Sequence, residues 1–343
     1  MSKMIVKGLS LITLLIGISF ALLPAFIYVG PTNRLRAGLY DTDEIFDVLL
    51  VGSSHMLNGL SPNYLFTDYG FTSYVFATGG QRFDVNYYFL KEALKKQKPK
   101  VVVLELYFAA DTSEYSHIGY TRNALNCLTP SANKLEAILS LTSPDSWLYY
   151  LFPFLEYHSN WTDVNINQYK KNSYENYFLK GFTPEMEIWG AEDSYTPKND
   201  GIKAEILPKT KKYIDLFIEL GTERSFDLLF TLMPFDINET IYNDPGYYND
   251  AEALYNGIEY YLSYRGYTMF NYNKTQLRDA IELDFPNDML NGGHMNINGT
   301  AKVSKHVGQY LSETYNLPDY RNDSDFAIWH EYAERQNQLF NSD

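Results

Sequence analysis

The stretch DVLLVGSSHMLNGLSP, residues 47–62, marks the start of the fold. An apolar run ends at Gly52, and two serines and a histidine follow it directly. Apolar runs without polar alternation are typical of strands that are buried on both faces of a parallel sheet. Because ligands bind at the carboxyl ends of such strands, Ser53 and Ser54 lie where a functional site is expected.

Similar runs recur along the chain, and amphipathic helical patterns lie between them. The predicted strands are residues 46–52, 73–80, 100–108, 226–234 and 267–272. The predicted helices are residues 84–97, 209–221, 250–266 and 299–315, where Gly221 and Gly266 act as stops and Asn298 as the last cap. This alternation predicts an α/β fold, in which helices cover both faces of a doubly wound, parallel five-stranded sheet.

The N-terminal segment, residues 1–36, has a different composition. Lys3 and Lys7 precede an uncharged apolar run over residues 9–29, which is long enough to cross about 30 Å of hydrocarbon. We expect an uncleaved signal-anchor helix that makes a single pass through the cell membrane. The lysines place its N-terminus inside and the body outside the cytoplasm.

Two further segments depart from the strand–helix alternation of the body, residues 37–318. Residues 111–208 hold Trp147, Trp161 and Trp189, and we expect a large, aromatic-rich, mostly helical insertion. It would form a lid or a substrate platform, or it would only add packing. Residues 319–343 form a polar and acidic tail in which one amphipathic helix is predicted.

Composition excludes some functions. With 42 acidic and 28 basic residues the net charge is −14, which argues against nucleic acid or an anionic membrane surface as the main partner. The 31 tyrosines suit either carbohydrate stacking or an extracellular surface. Cys127 is the single cysteine, so there is no internal disulfide and no cysteine-based metal site. Histidines and carboxylates lack close ligand spacing, and we expect neither a metal nor a cofactor.

A serine needs a base that takes its proton and donors that stabilise the oxyanion. His294 lies in NDMLNGGHMNINGTAKV, a loop between the fifth strand and the last helix, and so at the carboxyl side of the sheet. There it can reach Ser54. His55, which follows the serine, is expected to be a packed or capping imidazole.

Three blocks carry a resemblance: VGSSH after the first strand, ATGGQ after the second, and GGHMNINGTAK before the last helix. Together they resemble the SGNH (GDSL-type) hydrolase superfamily, whose fold is a flavodoxin-like α/β/α sandwich. More narrowly, they resemble its membrane-anchored, D-alanyl transfer protein-like branch, which is associated with acylation of Gram-positive cell-surface polysaccharide and teichoic acid. The resemblance spans nearly all of the chain.

The resemblance implies a role for several residues. Ser54 would be the nucleophile, His294 its base, and the backbone N–H groups of Ser54 and Gly80 the oxyanion donors. The family's acidic partner of the histidine falls on Asn291, which can orient an imidazole but adds no charge. Asp288 or Asp284 would replace it if the loop is rearranged.

The family's third block is also altered. Its asparagine donor is absent, and the matching strand end reads LELYF, with Glu105 just inside and Tyr107 nearest that position. Four side chains are candidates for lining the substrate cleft: Gln81, Tyr107, His158 and Trp161.

The expected function is an extracytoplasmic serine esterase or O-acyltransferase. It would act on acyl esters of a cell-envelope polysaccharide, and a transferase would work with a multi-pass acyl-exporting membrane protein. The alternative is a catalytically inactive SGNH-fold scaffold, or a glycan-binding protein, in envelope polysaccharide assembly.

Overall fold

The sheet at the centre of the molecule has five strands, all parallel, in the order β2-β1-β3-β4-β5. The structure is a computed structural model and describes residues 2–26, 30–115, 118–162, 164, 174–242, 244 and 246–341. The strands are β1 (Val48–Gly52), β2 (Ser73–Ala77), β3 (Val101–Glu105), β4 (Asp227–Leu232) and β5 (Thr268–Asn271). The predicted parallel α/β sheet is confirmed.

Strand residues alternate between two apolar cores, one on each face of the sheet. Leu49 and Val51 of β1 enter one core, while Val48 and Leu50 enter the other. This alternation follows from the two-residue period of a strand. All residues of β1, β2 and β3 are buried, whereas edge strand β5 is buried at every second position. The all-apolar runs in the sequence are therefore the consequence of a sheet covered on both sides.

Some of the helices cover both faces of the sheet. In chain order they are α1 (Ser2–Phe26), α2 (Gly30–Arg36), α3 (Ser54–Leu57), α4 (Pro62–Tyr69), α5 (Phe83–Ala93), α6 (Ile118–Leu125), α7 (Ala132–Leu141), α8 (Trp147–Leu151), α9 (Phe154–Tyr157), α10 (Pro208–Arg224), α11 (Ala251–Tyr264), α12 (Thr275–Ala280), α13 (Phe285–Asp288), α14 (Ile297–Thr314) and α15 (Ala327–Phe340). Helices α5, α10 and α11 pack into the first core, and α3 and α14 pack into the second.

Two predicted helix boundaries are wrong. Helix α10 runs past Gly221 to Arg224 and ends at Ser225, which adopts the left-handed conformation (φ 59°) in place of a glycine. Helix α14 is capped by Asn296, whose side chain accepts the N–H groups of Asn298 and Gly299, so the cap lies two residues before the expected one. Polar residues follow one another closely at both places, and pattern alone does not select among them.

The insertion, residues 111–208, is helical only in part. Helices α6 to α9 occupy its first half, and residues 182–207 contain neither a helix nor a strand. The expectation of a mostly helical insertion therefore fails for residues 182–207, where backbone N–H groups bond to side chains. Glu252, for example, accepts the backbone N–H groups of Lys198 and Asn199.

The tail helix α15 packs against the body through Trp329, which is 2% exposed. The indole stacks on Phe66, and the ammonium group of Lys180 lies 4.7 Å from its ring centroid. Lys180 is itself fully buried and forms an ion pair with Glu44 at 2.6 Å, and burial lowers its pKa to about 8. The tail is thus fixed by an aromatic and cationic contact as well as by its amphipathic pattern.

Helix α1 is one helix, among the described residues, that is long and apolar enough to span a membrane, over Lys3–Leu23. A signal sequence near an N-terminus would meet the same description.

Candidate active site

The turn after β1 brings two serines to the carboxyl end of the sheet. β1 pairs with β2 on one side and β3 on the other, so the strand order reverses here. Doubly wound sheets bind ligands at such a reversal. Gly52 ends the strand, and Ser53 caps the short helix α3 by accepting the N–H of His55 through its hydroxyl group. Ser54, the first residue of α3, remains partly exposed at this edge.

A two-stranded antiparallel hairpin carries His294. It consists of β6 (Met289–Asn291) and β7 (His294–Met295), which follow α13 and precede α14. The Nε2 atom of His294 lies 2.8 Å from the Oγ atom of Ser54, although 240 positions separate the two residues. The sequence-predicted serine and histidine are therefore within hydrogen-bond distance of each other.

Asn291 fixes the orientation of the histidine ring. Its Oδ1 atom accepts the backbone N–H groups of Gly293 at 2.9 Å and of His294 at 3.0 Å, and it lies 3.0 Å from Nδ1 of His294. Because two backbone donors select the oxygen rather than the amide nitrogen, Nδ1 must carry a hydrogen and donate it. Nε2 is then left with a lone pair that faces the Ser54 hydroxyl group. This is the tautomer that a general base needs.

Neither aspartate offered as a substitute reaches the imidazole. The carboxylate of Asp288 is buried, lies 2.7 Å from Nζ of Lys302, and accepts the N–H of Asp284. The carboxylate of Asp284 accepts the side-chain amide of Asn287. The role suggested for Asp288 or Asp284 is therefore corrected: both hold the loop before the hairpin, and Asn291 contacts His294 instead.

Burial lowers the pKa of His294 from its usual value, so the ring stays neutral to lower pH than a free histidine. His55 lies beside it, with ring centroids 5.1 Å apart. Burial, followed by the charge of His294, lowers the pKa of His55 well below its usual value. The His55 ring stacks on Tyr107 at 3.9 Å, as expected for a packed imidazole, and its Nδ1 atom has no partner among the described residues.

Glu105, at the end of β3, joins the strand ends beneath the serines. Its carboxylate accepts the hydroxyl group of Ser53 at 2.7 Å, the N–H of Ser53 at 3.3 Å, and the N–H of Tyr107. Burial raises the pKa of Glu105 to about 7, against the opposing effect of these hydrogen bonds. The hydroxyl group of Ser53 is therefore hydrogen-bonded to Glu105, and Ser54 is the serine that faces the histidine.

The two expected oxyanion donors are the backbone amides of Ser54 and Gly80. The N–H groups of Ser54 and Gly80 make no hydrogen bond to another backbone group in the part of the chain that is described. Gly80 has a φ of +68°, and a Cβ atom placed on it would lie 2.3 Å from the ring of Tyr120. Only glycine fits there. Tyr120, on α6 of the insertion, lies against the Cα atom of this glycine, and sequence reasoning missed it.

The four expected cleft residues differ in position. Tyr107 is buried beneath His55 and contributes to the floor of the site. Gln81 is 1% exposed and bonds Thr78 and Asn86, so it shapes its own turn, which corrects its assignment to the cleft. Trp161 is 72% exposed on a segment that contacts α1 rather than Ser54. The side chain of His158 lies outside the described residues.

One residue beside the hairpin was not revealed by the sequence. The carboxylate of Glu239 lies 2.6 Å from the position that a Cβ atom on Gly292 would take, so it borders the histidine loop. The described residues contain no cluster of three or more histidine, cysteine or carboxylate side chains that could hold a metal ion.

Protein-family models and curated proteins give no match to this chain. The geometry defines a serine beside a correctly oriented histidine base at a strand switch point.

Proposed function

We propose that the chain is an SGNH-type serine esterase or O-acyltransferase that acts on acyl esters of a cell-envelope polysaccharide. The observation that carries the proposal is the hydrogen-bonded series Ser54 Oγ, His294 Nε2 and Nδ1, and Asn291 Oδ1, at 2.8 and 3.0 Å. The strand order β2-β1-β3-β4-β5 supports it, since flavodoxin-like doubly wound sheets share this order.

The reaction follows from these positions. The Oγ atom of Ser54 attacks the ester carbonyl carbon while Nε2 of His294 takes the hydroxyl proton. The amides of Ser54 and Gly80 stabilise the negative charge on the carbonyl oxygen. When the bond between the acyl carbon and the sugar oxygen breaks, His294 returns the proton to that oxygen. The acyl group is left on Ser54.

The acyl group then passes to water or to a second hydroxyl group. In either case the incoming oxygen forms a bond to the acyl carbon while its proton passes to Nε2 of His294. The bond between the acyl carbon and Oγ of Ser54 then breaks, and His294 returns the proton to Oγ, which restores the free serine. A transferase would receive its acyl group through a multi-pass acyl-exporting membrane protein. The polysaccharide substrate rests on the resemblance of the three sequence blocks and on the abundance of tyrosine.

In this proposal helix α1 remains as a single-pass anchor, and the body lies outside the cytoplasm. The full-length protein should then stay in the membrane after carbonate extraction and be digested by protease added to intact cells. Recovery of a soluble form that begins near residue 30 would contradict the anchor.

The test of the chemistry is labelling by a fluorophosphonate probe, with the labelled residue identified by mass spectrometry. Ser54 should be labelled in the wild type, and Ser54→Ala should remove the label. Ser53→Ala is the matched control, because Ser53 bonds Glu105 and should leave Ser54 reactive. Label on Ser53, or label that persists in Ser54→Ala, would refute the assignment.

A second function, a non-catalytic scaffold or glycan-binding protein of envelope assembly, has two observations in its favour. Tyr120 lies against Gly80, and His294 contacts an amide in place of a carboxylate. If this reading holds, Ser54-dependent turnover is absent on small esters and on acetylated glycan, both in the wild type and in Tyr120→Ala. If Tyr120 only screens the site, Tyr120→Ala should increase the rate of labelling.

A further inference from the structure

Part of the insertion lies beside the C-terminal half of helix α1. The ring centroids of Phe20 and Phe152 are 6.3 Å apart, and those of Phe26 and Phe154 are 5.4 Å apart. A largely apolar groove of about 170 Å³ runs between Leu15–Leu23 on one side and Phe152–Leu155 on the other. A second groove of about 210 Å³ shares Phe20 and Pro153 and extends along α7. Both grooves are open at the surface.

The position of a residue along α1 gives its depth in a membrane that this helix crosses. The candidate span ends at Leu23, so Phe20 lies about 4.5 Å inside that end and Leu15 about 12 Å, at 1.5 Å per residue. The segment Phe152–Leu155 packs alongside these residues. When α1 crosses a membrane, this segment therefore lies below the hydrocarbon boundary. Interfacial helices reach a comparable depth, about 5–10 Å.

Exposed apolar side chains lie on, or just after, the elements that line the two grooves. We define the apolar face as five side chains on α7, α8, α9 and the turn that follows: Leu135, Leu148, Tyr149, Leu155 and Trp161. Each is between 45% and 72% exposed. Exposed Trp and Tyr beside aliphatic residues are typical of the boundary between water and lipid. Contiguous exposed apolar surface marks a site of contact with a membrane or a protein.

We propose that the apolar face docks on the outer surface of the same bilayer that α1 crosses and enters its interfacial layer. The proposal rests on the anchor under the proposed function. Continuity with α1 favours lipid over a protein partner, because Phe152–Leu155 is held against the span itself. The net charge of −14 indicates that apolar burial, rather than attraction to anionic headgroups, drives the contact. The apolar face should therefore dock on a bilayer of zwitterionic lipid alone.

The test places an environment-sensitive nitrobenzoxadiazole label at single introduced cysteines in the full chain, reconstituted in phosphatidylcholine bilayers. Leu148→Cys and Leu155→Cys report on the apolar face. Ile202→Cys and Tyr264→Cys are matched controls, being 58% and 81% exposed on segments that do not pack on α1. The native Cys127 is buried, so the unmutated protein serves as the blank.

Labels at Leu148 and Leu155 should show blue-shifted emission, lose intensity with 5-doxyl lipid, and resist aqueous iodide. The control labels should respond to iodide alone, and the pattern should not change with salt. Labels on the face that iodide quenches overturn the docking, as do labels protected from both quenchers, which would indicate a protein neighbour. Carbonate extraction tests the anchor separately. A chain retained in the membrane with iodide-quenched labels contradicts the docking alone, whereas a released chain contradicts the anchor and the docking together.

Discussion

Replacing Asn291 with Asp tests whether the site lacks only a charge. In the wild type, Oδ1 of Asn291 already accepts from Nδ1 of His294 and from two backbone N–H groups. A carboxylate can accept the same three hydrogen bonds without a change of geometry. The substitution therefore leaves the tautomer and the ring position unaltered. It adds a negative charge to the one place where it can stabilise the imidazolium that forms in the transition state.

The expected gain in turnover follows from the distance between the new carboxylate and the imidazolium. Unit charges about 4 Å apart interact by about 1 kcal/mol in bulk water and about 4 kcal/mol near a protein surface. Asn291 is exposed and His294 is half-buried, so the gain lies between these limits. At about 1.4 kcal/mol per tenfold change, turnover should rise about 5- to 1000-fold. It should stay below the ~10⁴-fold effect of the asparagine in a serine protease triad, part of which reflects the wrong tautomer.

The assay is p-nitrophenyl acetate hydrolysis as a function of pH, with the Ser54→Ala rate subtracted. Only neutral His294 can take the serine proton, and its burial-lowered pKa puts the acidic limb of the wild-type profile below the usual histidine range. A carboxylate at residue 291 raises the pKa of His294, so the acidic limb of Asn291→Asp should move to higher pH. Asn298→Asp adds the same charge to helix α14 without a described contact to His294, and it should change neither quantity.

The result that refutes this reasoning is an Asn291→Asp protein that folds normally but shows the wild-type rate and the wild-type acidic limb. A charge 3 Å from Nδ1 would then have no effect on the proton transfer, and the Ser54–His294 pair would not be the reacting pair. An equal gain in Asn298→Asp would also contradict the argument, because it would make the effect one of general charge.

Three further predictions concern the surrounding structure. Gly80→Ala should lower Ser54 labelling strongly, since its Cβ atom would meet the ring of Tyr120 at 2.3 Å in a left-handed backbone. Gly79→Ala, with open space at its Cβ position, should behave like the wild type. Equal labelling of the two variants would argue against a role for Gly80. Because burial raises the pKa of Glu105 from 4.5 to about 7, the folded state should lose about 3 kcal/mol of stability as pH rises through that interval. Denaturation curves of Glu105→Gln at pH 5 and pH 8 should lack that component, and parallel pH dependences for both proteins would contradict it. His294→Ala should reduce fluorophosphonate labelling greatly while His55→Gln keeps most of it, and the reverse order would assign the base to His55.

The sheet was predictable because its signal is local and repeated. Strands β1 to β4 are short, largely apolar runs, and a run that is buried on both faces needs no partner information to be recognised. The pairing of strands is a different matter. The sequence of the run KVVVLE does not show that this strand pairs with DVLLVG. Yet this strand pairing brings Glu105 within hydrogen-bond distance of Ser53. Topology, rather than pattern, decides which side chains meet.

The same distinction applies to the site. The proximity of Ser54, His294 and Asn291 could be predicted because each lies in a short block with recognisable neighbours. Tyr120 was missed because its contact with Gly80 joins two segments that share no sequence pattern. Gln81 shows the opposite error: it stands beside the expected oxyanion glycine, but its side chain turns inward to Asn86 and Thr78. Adjacency in sequence to a site residue does not determine on which side of the turn a side chain lies.

The hydrogen-bond directions around His294 bear on whether the site is catalytic. A scaffold requires only that the hairpin of β6 and β7 be folded, and the two backbone N–H groups on Asn291 achieve that. The further bond from Nδ1 to the same oxygen directs a lone pair of Nε2 at Ser54, while Ser53 is bonded to Glu105. One serine of the pair is thereby held in the framework and the other is presented to a base. A folding requirement alone explains the first arrangement but not the second, so the directions of these bonds favour a reacting serine at Ser54.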